Sequence, residues 1–238
     1  MLWWMLERSN QLLPSPELNA VVQEYRRLHG ARYISSPWSY LITGQKPILT
    51  EPFAFVDQLP DYNVQFIYGF SCDRKLAEQP IVQRQNNTSF CWRYHPISPA
   101  CITHQMMGFR FMERARCNAM PDLRDKLDTL SGTARWQSRL DFRVVDVYLQ
   151  RVVMQIDSGF ADRVNPRWLK RILREQGDDG GWDDFQSLLP LGSEKAIGFS
   201  GRGFKIGDTS SNFHATAQGI WLMSYLLGKP STFQSVMQ

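Results

Sequence analysis

Leu140-Asp141-Phe142-Arg143-Val144-Val145-Asp146-Val147-Tyr148-Leu149-Gln150-Arg151-Val152-Val153-Met154-Gln155-Ile156-Asp157 is the stretch on which the fold turns. Phe142, Val145, Val147, Leu149, Val152, Val153 and Ile156 give it the wide apolar surface of a helix that neighbours must cover. Downstream, Asn165-Pro166 is an N-cap followed by a first-turn proline. It opens a helix through Trp168, Leu169, Ile172 and Leu173 to Gly177. Upstream, His104 to Cys117 carries Met106, Met107, Phe109, Phe111 and Met112. A last helix runs from Asn212 to Leu227 and is stopped by Gly228 and Pro230. Helices of this length with short connections pack as antiparallel hairpins.

The N-terminal third reads differently. Leu18, Val21, Val22, Tyr25 and Leu28 mark a helix that Gly30 should stop. From Tyr33 to Phe70, Pro37, Pro47, Pro52 and Pro60 interrupt an aromatic-rich segment. That pattern predicts an irregular wrap with short strands, Asn63 to Tyr68 being the best strand candidate. Residues 71 to 100, ending in Pro96 and Pro99, read as loop with one helical turn, and Gly192 to Gly207 as a glycine-rich loop. The expected organisation is residues 1–90 as helix plus wrap and 91–238 as the helical-hairpin part of one folding unit.

Composition narrows the function classes. Of 238 residues, 43% are hydrophobic, 13% aromatic and 21% charged, which suits a packed core rather than a disordered chain. The net charge of +4 is spread among acidic residues with no run of five basic ones, so nucleic acid is an unlikely partner. Arg167, Lys170, Arg171 and Arg174 share a helix face, most simply a solvated one. Gly219 to Leu227, about nine residues, falls far short of the roughly 20 that a membrane span needs. The apolar start Met1 to Leu6 stops at Glu7-Arg8 without a charged lead or a small-residue cleavage site. It reads as a poor signal peptide, the remnant of a longer leader, or a helix packed on the body.

The four cysteines Cys72, Cys91, Cys101 and Cys117 allow two disulfides in three connectivities. At the two ends of one straight helix, Cys101 and Cys117 would stand about 24 Å apart and could not pair. The spacing Cys91-x9-Cys101 is not that of a zinc ribbon. The overlapping sequons Asn86-Asn87-Thr88 and Asn87-Thr88-Ser89 permit glycosylation in a secreted eukaryotic chain.

Gln176-x-x-Asp179-Gly180-Gly181-Trp182, followed by His214-Ala215-Thr216-Ala217, resembles a repeat of the α/α-toroid proteins. These include terpenoid cyclases and protein prenyltransferase β-subunits. In such repeats the Gly-Gly-aromatic turn joins an outer helix to an inner one whose N-terminus faces a central cavity. Cys101 to Gly108 and Asn212 to Gly219 each place a His in the first turn and a Gly shortly after it, a hint of internal repetition.

A closer likeness, over roughly Cys91 to Leu227, is to an uncharacterised family of secreted, thyroid-expressed animal proteins with bacterial relatives. It runs through Thr103-His104-Gln105, Arg114, Cys117, Val145-Asp146-Val147-Tyr148, Arg167-Trp168-Leu169 and His214-Ala215-Thr216-Ala217. The chain departs from that family in lacking a clear leader, several cysteines and the one that precedes the last histidine. The resemblance implies a fold and a secreted or periplasmic location, and no activity.

Candidate catalytic residues are His104, His214, Asp179 and Asp146. Candidate substrate-binding residues are Trp182 and Gln105. A neutral imidazole at the start of a helix serves as base, hydrogen-bond donor or metal ligand, and the plainer reading is a helix cap. Two carboxylates among Asp178, Asp179, Asp183 and Asp184 would suit glycoside cleavage, yet Asp beside Gly is ordinary turn chemistry. A calcium loop would alternate its acids, and this one does not. Asp146, set in an apolar helix, needs a partner such as Arg143, Arg151 or a histidine. Trp182 and Trp221 suit stacking on a sugar or prenyl chain, or simply the core.

Dinucleotide, Walker A and nucleophile-elbow motifs are missing, as are the acids of squalene-type cyclases and the Asp-x-Cys zinc pair of prenyltransferases; Asp208-Thr209-Ser210 stands where the latter would be sought. From the sequence the cofactor, any metal and the partner are unknown, with a small molecule or a protein as the open classes of partner. The expected fold is mainly α: antiparallel helical hairpins in an incomplete or small α/α toroid, with an aromatic, proline-rich N-terminal region. The leading functional expectation is a non-catalytic binding or interaction protein. The alternative is an enzyme acting on a glycan, lipid or peptide in a cavity lined by His104, His214 and Asp179.

Overall fold

The computed structural model describes residues 1–91, 100–118 and 120–229. It is mainly helical, with one small antiparallel sheet. The chain forms two compact units that are not consecutive halves: Met1–Ala20 with Ala134–Gln238, and Val21–Thr133.

In the first unit, α1 (Leu2–Leu12), α10 (Asp146–Asp157), α11 (Pro166–Arg174) and α12 (Phe213–Gly228) accompany strands β1 (Phe185–Pro190), β2 (Lys195–Ser200) and β3 (Gly203–Asp208). α10 is buried all round. It packs on α12, where Tyr225 Oη donates to Asp157 Oδ1 at 2.5 Å. The apolar start of the chain is α1, packed on α12 with Trp4 edge-on to Trp221 at 5.2 Å. The two asparagine caps stand as read. Asn165 Oδ1 accepts from Arg167 N, and Asn212 Oδ1 accepts from the backbone N–H of His214 and Ala215. α11 buries Trp168, Leu169 and Ile172, and leaves Arg167, Lys170, Arg171 and Arg174 in solvent.

The expected helix over Leu140–Asp157 is broken. α9 (Leu123–Leu140) ends at Leu140, and α10 begins only at Asp146. Asp141 Oδ1 accepts from the Arg143 backbone N–H at 3.2 Å, a local bond that competes with helix, and Val145 is extended. α9 has no counterpart among the expected helices. Its apolar residues Leu123, Leu127, Leu130 and Ala134 form one narrow stripe in a polar background.

The second correction is the glycine-rich segment, which is sheet rather than loop. β2 pairs antiparallel with both neighbours, Ile197 facing Ile206 and Phe199 facing Phe204 across β2 and β3. Ala196, Gly198 and Ser200 alternate inward. The glycines are tolerated because ring atoms of Phe185 fill the space beside Gly198 and Gly207.

In the second unit, α5 (Asp61–Ser71) contains the segment expected as a strand. Its helical period shows in Tyr62, Phe66 and Phe70, whose rings form one row: Phe66 and Phe70 lie 5.5 and 4.8 Å from Phe111 of α8 (Cys101–Arg114). Asp61 in the first turn favours the helix dipole. α5 and α8 come close at Gly69, where a Cβ would stand 2.7 Å from the Gly108 carbonyl oxygen.

Trp38 and Tyr40 of the proline-rich stretch lie over Phe70 at 5.8 and 5.4 Å. That stretch holds the single turns α3 (Tyr40–Thr43) and α4 (Phe55–Gln58) rather than strands. α2 (Pro16–Ile34) runs through Gly30, and the bond between the Tyr25 and Tyr33 hydroxyls at 2.7 Å ties the turns on either side. Residues 71–91 hold two short helices, α6 (Arg74–Ala77) and α7 (Pro80–Gln85), where one turn was expected. Pro96 and Pro99 lie outside the described residues.

The disulfides are Cys72–Cys117 and Cys91–Cys101, with Cα atoms 5.6 and 5.4 Å apart, so these thiols are not metal ligands. No helix among the described residues is long and apolar enough to cross a membrane.

Candidate functional site

The sequence candidates divide between the units. His104 belongs to the second unit, while Asp146, Asp179, Trp182 and His214 belong to the first. His104 sits one turn into α8, stacked on Tyr62 at 4.2 Å and edge-on to Phe66 at 6.0 Å. Gln105 is 1% exposed, and its Nε2 donates to the carbonyl oxygens of Gln85 and Asn87 at 2.5 and 2.8 Å. Its amide nitrogen holds the turn after α7.

Asp179 is a turn residue. Its Oδ1 accepts from Ser211 Oγ at 2.7 Å and Gly181 N at 3.0 Å, and these bonds hold its carboxyl below the usual range. Trp182 is 2% exposed; its Nε1 donates to the Ile172 carbonyl, and its ring covers Gly219 of α12. Its backbone N–H and C=O both bond to Thr216 Oγ1. The Gly-Gly-Trp corner thus anchors the start of α12, with the sheet inserted between the two. Trp221 is fully buried core.

Asp146 is not set in the middle of a helix: it opens α10, where the positive end of the helix favours a carboxylate. Its Oδ2 lies 3.3 Å from His214 Nδ1, and both side chains are partly open to solvent, at 29% and 39%. Gln218 Nε2 lies 3.1 Å from the same imidazole nitrogen. The hairpin turn at Gly201 passes beside Asp146 Oδ1. A carboxylate holding an imidazole at the joint start of two helices is an arrangement able to relay a proton.

The arginines expected for Asp146 serve Asp141 instead. Asp141 grips Arg143 through both oxygens, at 2.8 and 3.0 Å, and Arg151 Nη1 at 2.9 Å. Arg151 is 1% exposed, so its charge requires this partner. Burial alone would raise the Asp141 carboxyl; the bond to Arg143 and the charge of Arg151 outweigh it and hold the group low.

Asp183 behaves oppositely. Burial, then a bond shared with Asp184, pushes its carboxyl up to about 7.

Two features were not anticipated. Tyr25, His29, Arg32 and Tyr33 line an open groove of about 390 Å³ on α2. Their spacing along one helix was a readable signal. Burial and the bond to Tyr33 push the Tyr25 phenol up.

The other is the outer face of the sheet. Phe142, Phe199 and Phe204 form a chain of rings with centroids 5.1 and 5.3 Å apart. Ile206 and Leu189 share the face by register with Ile197. Phe204, Ile206, Phe142 and Leu189 are 63, 62, 58 and 57% exposed. Trp4, in the apolar start of the chain, is by contrast 7% exposed.

Among the described residues no group of three or more His, Cys, Asp or Glu could hold a metal ion. Comparison with protein-family models, with curated proteins and with solved structures gives no match for this chain.

Proposed function

We propose that this chain is a non-catalytic binding protein that takes up an extended segment of a partner protein along β3. The carrying observation is the exposed apolar row of Phe142, Phe204, Ile206 and Leu189 on one sheet face, beside a strand whose outer edge is unpaired among the described residues. Large apolar side chains left in water favour burial by about 25 cal/mol per Å². Side chains of an added strand would pack beside Phe204 and Ile206 while its backbone pairs with β3. β3 suits this better than the other edge. It is in unbroken register with β2, whereas β1 carries a register shift between Ser187 and Leu189 and ends in Pro190.

The test is selection of a displayed random-peptide library on the folded chain, with a Phe204→Lys/Ile206→Lys double variant as control. Enriched peptides should alternate apolar and polar residues and lose binding to the variant. Peptides that bind both forms equally, or no enrichment at all, would overturn the reading.

A second reading, an enzyme acting on a glycan, lipid or peptide, is favoured by one observation, the Asp146–His214 contact. Of the residues expected to line the cavity, Asp179 is committed to its turn, and His214 meets Asp146. Hydrolysis of any glycan, ester or peptide in a substrate panel that disappears in His214→Ala would favour it.

The likeness to the secreted thyroid-expressed family, and more distantly to the α/α toroids, is part of this proposal. The Gly-Gly-Trp corner anchoring α12 supports the second, and two disulfides fit an oxidising, secretory location.

A further inference from the structure

The turn that follows α7 carries both sequons, and its two asparagines are treated differently. Gln65, fully buried in α5, donates from Nε2 to Asn86 Oδ1 at 2.9 Å, and Asn86 is half-buried. Asn87 is exposed. Its backbone is held from the interior: the Asn87 carbonyl oxygen accepts from Gln105 Nε2 at 2.8 Å and from Phe90 N at 3.0 Å. Two buried glutamines thus fix the turn from beneath and present the Asn87 side chain outward.

The Asn87 carboxamide is also arranged for acceptor chemistry. Its Oδ1 accepts from Ser89 N at 3.0 Å and from Ser89 Oγ at 2.9 Å. The hydroxyl two residues on is the group that defines a sequon, and a hydroxyl donating to the amide oxygen leaves the amide nitrogen as the outward, reacting end. Thr88 makes no corresponding bond to Asn86 among the described residues. All four cysteines are in disulfides, Cys91 lying just beyond the turn, which fits folding in the oxidising compartment where such transfer occurs.

We propose that Asn87, and not Asn86, is an attachment site for an N-linked glycan. The donor is an oligosaccharide carried on a lipid diphosphate. The Asn87 amide nitrogen forms a bond to the anomeric carbon as the carbon–oxygen bond to the diphosphate breaks; the amide gives up one proton and the lipid diphosphate leaves. At Asn86 the glycan would draw out a half-buried amide and strip the buried Gln65 of its acceptor. The inference is independent of the sheet-edge reading.

The test expresses the chain behind a cleavable secretion signal in eukaryotic cells. Enzymatic release of the glycan in heavy-oxygen water converts the modified asparagine to a labelled aspartate, located by peptide mass spectrometry. The label is expected at position 87 in the wild-type chain and in Thr88→Ala, which destroys only the first sequon. It is expected at neither position in Ser89→Ala, which destroys only the second, nor in Asn87→Gln. The wild-type and Thr88→Ala chains keep the Ser89 bonds and the Gln65 contact, so they decide the proposal even where another variant misfolds. A label at position 86 in any of these chains, or unglycosylated wild-type protein, overturns the proposal.

Discussion

The indole of Trp182 lies directly on the backbone of Gly219, so close that a Cβ at that position would overlap the six-membered ring. Trp182 cannot retreat easily: it is 2% exposed, and its Nε1 is bonded to the Ile172 carbonyl at 2.8 Å. Gly219→Ala should therefore destabilise the protein despite raising helix propensity. The propensity gain is about 1 kcal/mol and overpacking costs about 1–3 kcal/mol. Denaturant midpoints of wild type and variant decide the sign; an unchanged or higher midpoint would show that the ring is free to move.

Asp141→Asn should cost roughly 3–5 kcal/mol at neutral pH, because it leaves the Arg151 guanidinium buried without its carboxylate. The Asp141 carboxyl is held below its usual value in the folded state. Its contribution is thus complete above the unfolded-state value near pH 4 and is lost as pH falls through the lower folded one. Urea melts from pH 7 down to pH 2 should show a shallower loss of stability in Asp141→Asn than in wild type.

Asp183 gives the opposite sign. Its carboxyl is raised to about 7 by burial and by Asp184, so the folded state holds a proton that the unfolded state has released. Stability is lost as pH climbs from about 4 to 7. Asp183→Asn should be more stable than wild type at pH 8, by about 1–2 kcal/mol after discounting for solvent screening at a half-exposed site. The gain should vanish near pH 4; a gain independent of pH would contradict the assignment.

The two disulfides should contribute unequally. Cys72–Cys117 spans a sequence separation of 45 and Cys91–Cys101 one of 10. Loop-closure entropy assigns them roughly 4 and 3 kcal/mol. Replacing the first pair by serine should lower the urea midpoint more than replacing the second. Equal losses, or the reverse order, would mean that the loops are already constrained in the unfolded chain.

Much of the helical part was legible locally. Asn165-Pro166 and Asn212 announced their helices because capping depends only on a side chain and the backbone two or three residues on. The stripes of α8 and α12 were equally plain. The six residues from Asn63 to Tyr68 fit both the strand and the helix period, and the row of Tyr62, Phe66 and Phe70 declares itself only against Phe111. The break before α10 turned on one Asp141 side-chain bond to the backbone. The sheet was hidden by glycines that look like loop residues until the Phe185 ring is seen to occupy their missing side chains.

By itself the sequence determined a mainly helical protein, where several of its helices begin, and a glycine corner before the last of them, all consequences of short-range periodicity and capping. Tertiary structure alone decided which acid meets which base, giving Asp146 to His214 and Arg151 to Asp141. It also decided that Trp182 is core, and that the apolar surface left open is the sheet rather than Trp3-Trp4. The reason is that pairing and burial depend on which distant segments arrive at the same place, and no local spacing encodes that meeting.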